Sequence, residues 1–293
     1  MSTLIGLNRD AASLPLISNS VRAQVAGGHL SAFRGRGMEY HESRPYQPGD
    51  DIRSIDWRVT ARSGQTHTKV YREERERPVL LWLDLSASMF FGTQVCFKSV
   101  LASKLAALLA WSSVQHGDRL GYLVFSESQH IESRPRRGKH AALRFIQQLA
   151  THPAWERDGV ESDPQTGPQA LRRLRQVARP GSLLVLLSDF RFLDPGCRGQ
   201  LVELARHSDV VMIHCYDPLE RALPPPGQYR VTDGRESVEL DSAQPALRDR
   251  YSERYRQQQE ALTQLCRELG LHQVDIATDD DMLLSLKSGL GLL

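Results

Sequence analysis

Asp84-Leu85-Ser86-Ala87-Ser88 sets one carboxylate and two hydroxyls at spacings of two, directly after the apolar run Val79 to Leu83. Such groups are hard oxygen donors, and hard donors suit Mg²⁺ or Mn²⁺. A second strongly apolar run, Ser182 to Leu187, ends in Ser188-Asp189. If the two runs are neighbouring strands of one parallel sheet, both carboxylates overhang the crevice outside the strands' carboxyl ends. Open α/β sheets bind ligands there, where the strand order switches. Thr166, in Thr166-Gly167-Pro168 at the start of the preceding helix, offers a third hydroxyl, and Ser162 in the same loop competes for that role. Serine and aspartate after strands are also ordinary turn and cap residues. It is the strand context together with the second carboxylate that favours a metal site.

Other chemistries find little support. No H-x-x-x-H spacing suggests zinc, and no G-x-S-x-G elbow activates a serine. Gly35-Arg36-Gly37 does not follow a strand and lacks the third glycine of a phosphate loop. Cys96, Cys197, Cys215 and Cys266 form no C-x-x-C pair and read as buried thiols in a reducing compartment. His116 reads as a C-terminal helix cap.

The elements that must position these groups alternate. Strands are expected at 79–84, 120–125, 182–189, 209–216 and 272–276, with a short edge strand near 130–133. Helices are expected at 94–115, 139–150, 168–178, 196–207, 246–269 and 280–288. A hairpin, 228–233 with 236–240, turns at Gly234-Arg235. Alternation of this kind predicts an α/β fold, a doubly wound and mostly parallel central sheet over residues 78–293. Residues 1–77 are Arg-, Gly- and Asp-rich and read as an extended N-terminal arm.

Across 293 residues, 40% are apolar and 25% charged, and the net charge is +2. A balance this close to neutral gives no global signal for nucleic acid or a membrane surface. The longest central apolar run, Leu105 to Trp111, is far shorter than the roughly 20 residues of a membrane helix. Met1 to Asp10 has neither the basic nor the apolar region of a secretory signal. A soluble cytoplasmic protein is therefore expected. Arg172, Arg173, Arg175 and Arg179, and Arg134, Arg136, Arg137 and Lys139, read as solvated faces, with an acidic partner or nucleic acid as the sharper alternative.

Asp84, Ser86, Ser88, Thr166 and Asp189, in this order on an α/β alternation, resemble the metal-ion-dependent adhesion site of von Willebrand factor A domains. The resemblance implies Ser86, Ser88 and Thr166 as direct ligands, with Asp84 and Asp189 acting through water. A partner's acidic residue would complete the coordination. Phe190 stands where that family often has glycine.

The N-terminal part carries a longer signature: Gly35 to Tyr40, Arg44 to Trp57, Ala61-Arg62 and Glu73 to Glu76. It resembles the bacterial domain-of-unknown-function family numbered fifty-eight, von Willebrand A-like proteins commonly encoded beside MoxR-type AAA+ ATPases. Within it, Asp50 is expected to cap a short helix through Trp57. Arg44, Arg53, Arg58 and Arg62 are expected to form a structural network with Asp50, Asp51 and Asp56. The resemblance implies a metal-dependent, non-catalytic protein-binding module whose partner is a MoxR-type ATPase or its client. The alternatives are a Mg²⁺-dependent phosphatase or phosphotransferase with Asp84 as nucleophile, and a nucleic-acid binder using the arginine faces.

Overall fold

A computed structural model describes residues 1–14, 38–47, 50–73, 77–156, 162–232 and 237–292. Two units emerge: one joins the N-terminal residues to Arg77–Leu293, and the other is His29–Glu76. The arm expected over residues 1–77 is therefore split, because its first helices belong to the larger unit.

The larger unit is built on six strands: β3 (Pro78–Asp84), β4 (Arg119–Phe125), β5 (His130–Arg136), β6 (Leu183–Ser188), β7 (Asp209–Tyr216) and β10 (His272–Ala277). Their order in the sheet is β10-β7-β6-β3-β4-β5. All pairings are parallel except that of β5, which returns antiparallel along β4 as an edge strand. This is the doubly wound, mostly parallel α/β fold. From β3 the chain first builds outward to β4 and β5, then crosses back to place β6 on the other side of β3. The switch point thus lies between β3 and β6.

Buried strands show why the pattern is read on both faces. Val79, Leu81 and Leu83 enter one core with Val185 and Leu187, while Leu80 and Trp82 enter the other with Leu184 and Leu186. Successive side chains of a strand point to opposite faces, so a central strand must be apolar throughout. The first core is covered by α4 (Lys98–Gln115), α5 (Lys139–Ala150) and α10 (Met282–Gly289). The second is covered by α6 (Thr166–Val177), α7 (Pro195–His207) and α9 (Pro245–Leu269). Helix α4 is buried nearly all round, and two of its serines bond back within the helix: Ser103 Oγ donates to Ser99 O at 2.7 Å and Ser113 Oγ to Leu109 O at 2.8 Å, while Ser112 Oγ donates to Leu14 O of the N-terminal segment. Helix α9 begins with a proline and stops at Gly270, whose φ of +66° is left-handed.

The N-terminal helices α1 (Ser2–Gly6) and α2 (Asn8–Ala11) lie against α4. Ala11 and Leu14 are fully buried, and Trp111 Nε1 donates to Leu4 O at 3.1 Å. The hairpin of β8 (Gln228–Thr232) and β9 (Ser237–Asp241) forms its own two-stranded sheet.

In the smaller unit, β1 (Met38–Pro45) pairs antiparallel with β2 (His67–Glu73), with a register shift between Tyr40 and Glu42. The helix α3 (Trp57–Ser63) is capped by Asp56, not Asp50: Asp56 Oδ1 accepts from the amides of Arg58 and Val59, each at 3.2 Å. Asp50 instead accepts from Arg44 Nη2 at 2.7 Å and from the Gln47 amide at 2.9 Å. Asp51 caps a short 3₁₀ turn at Ile52–Ser54. The aspartates of the signature thus mainly hold backbone amides. Gly35-Arg36-Gly37, Pro48-Gly49 and Glu74-Arg75-Glu76 lie outside the described residues.

Candidate metal centre at the switch point

Asp84 ends β3 with no exposed surface. Its Oδ1 accepts from the Ser86 amide at 2.8 Å, which folds the chain into a tight loop, and its Oδ2 accepts from Ser188 Oγ at 2.6 Å. That second bond ties the ends of β3 and β6 together across the switch point. The hydroxyls of Ser86 and Ser88 lie 3.4 Å apart. Glu127, in the turn after β4, accepts from the Ala87 amide at 2.6 Å and so pins the loop between the two serines.

Asp189 follows β6 and is also buried. Its Oδ1 accepts from the Arg191 amide at 3.2 Å, and the nearby Ser88 hydroxyl helps hold the same carboxylate in its charged form. Phe190 adopts a φ of +53°, the left-handed conformation in which glycine is at home. The backbone here takes the form glycine favours, and the phenyl ring is buried instead of absent.

The structure thus brings Asp84, Ser86, Ser88 and Asp189 into one cluster. Thr166 opens α6 and is buried, while Ser162 is exposed. Among the described residues, no hydrogen bond joins Thr166 to the other four. The first turn of α6 is fixed by Gly167, where a Cβ would come within 2.2 Å of the Phe192 ring.

Lys98 opens α4. In the fold its ammonium is fully buried and donates to Asp189 Oδ2 at 2.7 Å and to Glu220 Oε1 at 2.6 Å. Burial pushes Lys98 toward its neutral form, but the two carboxylates more than offset this and raise its pKa. Burial likewise raises Asp189, and the Lys98 ammonium more than reverses it, holding that carboxyl below its usual range. Asp84 has no such cation. Burial first, then the charge of Asp189, raise its pKa to about 7 against hydrogen bonds that favour the charged form.

Lys98, Glu220, Glu127 and Ser188 are the site residues that motif reading does not single out. One signal was available for Lys98: it is one of five lysines in an arginine-dominated chain and stands at the head of an apolar helix. Glu220 lies on the short helix α8 (Pro218–Arg221), oriented by a capping box in which Asp217 N donates to Glu220 Oε2 at 3.0 Å. Asp217 also accepts from the Thr93 and Thr278 hydroxyls, each at 2.7 Å, and so gathers three loops at the same end of the sheet. Beside the cluster runs a groove of about 660 Å³ whose lining includes Asp189, Arg191, Glu220, Tyr251 and Tyr255.

The donors fit a small divalent cation. They are oxygens only, and two hydroxyls at 3.4 Å approach the ~3 Å edge of an octahedron whose metal–oxygen distances are about 2.1 Å.

A family described as "Protein of unknown function DUF58" matches residues 42–261. The uncharacterized protein Rv1480 of Mycobacterium tuberculosis is 33% identical over 281 residues, covering 93% of this chain and 86% of its own length. The uncharacterized protein Mb1516 of Mycobacterium bovis shows the same identity and coverage. Among solved structures, an aerotolerance-related membrane protein of Bacteroides fragilis is similar with a TM-score of 0.47 and 12% identity, over 74% of this chain and 100% of that one. The conserved hypothetical protein BatB of Bacteroides thetaiotaomicron is similar with a TM-score of 0.40 and 14% identity, over 66% of this chain and 98% of that one.

Proposed function

The chain belongs to the protein family of unknown function DUF58, and from that premise we propose that it is a non-catalytic, metal-dependent protein-binding module. Ser86, Ser88 and Thr166 would hold Mg²⁺ or Mn²⁺ directly, and Asp84 and Asp189 would hold it through water. When bound, the ion supplies a Lewis-acidic position that an Asp or Glu carboxylate of a partner protein can fill. The partner in this reading is a MoxR-type AAA+ ATPase or its client, in chaperone-like assembly or a stress response in the cytoplasm. No helix among the described residues is long and apolar enough to cross a membrane.

One observation carries the reading. Two buried carboxylates stand at the ends of adjacent strands at the switch point, and the ammonium beside them bonds to Asp189 and Glu220 but not to Asp84. A buried carboxylate that has no cation and lies beside a second one is disfavoured, and a cation bound between the serine loop and Asp84 would relieve it.

Capture of a MoxR-type ATPase by immobilised protein tests the reading. Wild type should retain it in Mg²⁺ and release it in EDTA, and Asp84→Ala should not retain it. Equal capture under all three conditions would contradict the reading.

The phosphotransfer alternative gains a lysine at the site. It requires, however, that Asp84 reach a substrate, and Asp84 is buried with both oxygens engaged. The binding module is the better account.

A further inference from the structure

Lys98 has no part in the adhesion-type site as read from its motif. A lysine with no exposed surface is rare unless paired, and here two carboxylates pair it at the head of a helix rich in leucine and alanine. Its place is fixed from both ends. The Lys98 amide donates to Phe91 O at 2.9 Å, and Glu220 is held by the capping box at Asp217. The ammonium therefore cannot swing to solvent without dismantling the loops that Asp217 gathers.

We propose that Lys98 is a specificity-determining residue of the metal centre: a built-in cation that takes up the charge of Asp189 and holds down the affinity of the serine–aspartate loop for divalent ions. The inference rests on the metal-site reading above. With Asp84 and Asp189 both ionised the centre offers two negative charges, and Lys98 cancels one of them. A fixed positive charge a few ångströms from a dication, in a site shielded from water, opposes binding far more than it would at the surface. Glu220 draws part of that charge away from Asp189. Removing Glu220 should therefore act in the direction opposite to removing Lys98.

The test is Mn²⁺ titration of the full chain, with free Mn²⁺ followed by electron paramagnetic resonance, for wild type, Lys98→Met, Glu220→Gln and Ser86→Ala. Lys98→Met should bind Mn²⁺ about tenfold or more tighter than wild type, by the Coulomb estimate for removing one nearby charge. Glu220→Gln should bind several-fold weaker, and this arm decides the matter if Lys98→Met does not fold. Equal affinity of wild type, Lys98→Met and Glu220→Gln, with loss only in Ser86→Ala, would overturn the role of Lys98 and leave the metal reading standing. Absence of binding in every protein would overturn both.

Discussion

Asp84 carries an electrostatic conflict between burial beside Asp189 and its ionised form, and the conflict has a sign that can be measured. Its carboxyl titrates at about 7 in the fold, against an ordinary value of 3.8. The neutral form is the one the fold accepts. Its contribution to stability is full below pH 3.8 and is lost as the pH rises through about 7. In EDTA, Asp84→Asn should therefore raise the stability read from urea unfolding at pH 8, by up to roughly 4 kcal/mol, and change it little at pH 4. A lower stability at pH 8 would contradict the electrostatic picture. Phe190 makes a second case. Changing it to glycine relieves a left-handed backbone worth about 1–2 kcal/mol but deletes a buried ring worth about 3–5 kcal/mol. Chemical denaturation should show a net loss of roughly 2 kcal/mol. Asp84, Ser86, Ser88 and Asp189 were legible in the sequence because each sits where a two-faced apolar strand ends. Lys98 was not, because its partner Glu220 lies 122 residues away, and no local pattern announces that pairing.

At the scale of elements, two short segments carry testable packing and titration. His152 caps the 3₁₀ turn Pro153–Trp155 by accepting from the Ala154 amide through Nδ1 at 3.1 Å. Burial depresses its pKa to about 4 from 6.5. The neutral ring is thus the folded form, its stabilisation is full above pH 6.5, and it is lost as the pH falls toward 4. Stability should fall by up to roughly 3 kcal/mol between pH 7 and 4 from this group. His152→Asn keeps an acceptor for the cap and should remove that part of the acid sensitivity in urea titrations across this range. Gly167→Ala drives a methyl into the Phe192 ring and should destabilise by roughly 1–3 kcal/mol. If Thr166 belongs to the site, the same substitution should also weaken Mn²⁺ binding. The central strands β3, β4, β6 and β7 were legible almost to the residue, because full burial leaves an uninterrupted apolar run; the half-buried edge strand β5 runs three residues past its expected end, and β1 and β2, in the segment read as an extended arm, were not expected. The start of α4 was not: 94 was expected and Lys98 is found, since the segment before it folds as loops tied to Asp217 through Thr93.

At the scale of the whole chain, the first fourteen residues are structural. Leu14 and Ala11 fill the core beside α4, and Gln115 Nε2 donates to Asn8 O at 2.7 Å. Deleting residues 1–14 should lower the melting temperature by several degrees and red-shift tryptophan emission as Trp111 loses its cover. Unchanged melting and emission would refute that role. These helices escaped the sequence reading because α1 and α2 have only five and four residues, too few to show a period. The doubly wound sheet itself was legible, since strand and helix alternate over more than 200 residues and the polar residues break the pattern mainly at strand ends. The central claim is that these strand ends hold a divalent cation through serine hydroxyls. Calorimetric titration of Mn²⁺ into wild type and into the double variant Ser86→Ala, Ser88→Ala tests it most directly. One ion per chain bound by wild type, with affinity at least ~100-fold lower in the variant, is the predicted result. Identical heats for the two proteins, or none for wild type, would contradict it.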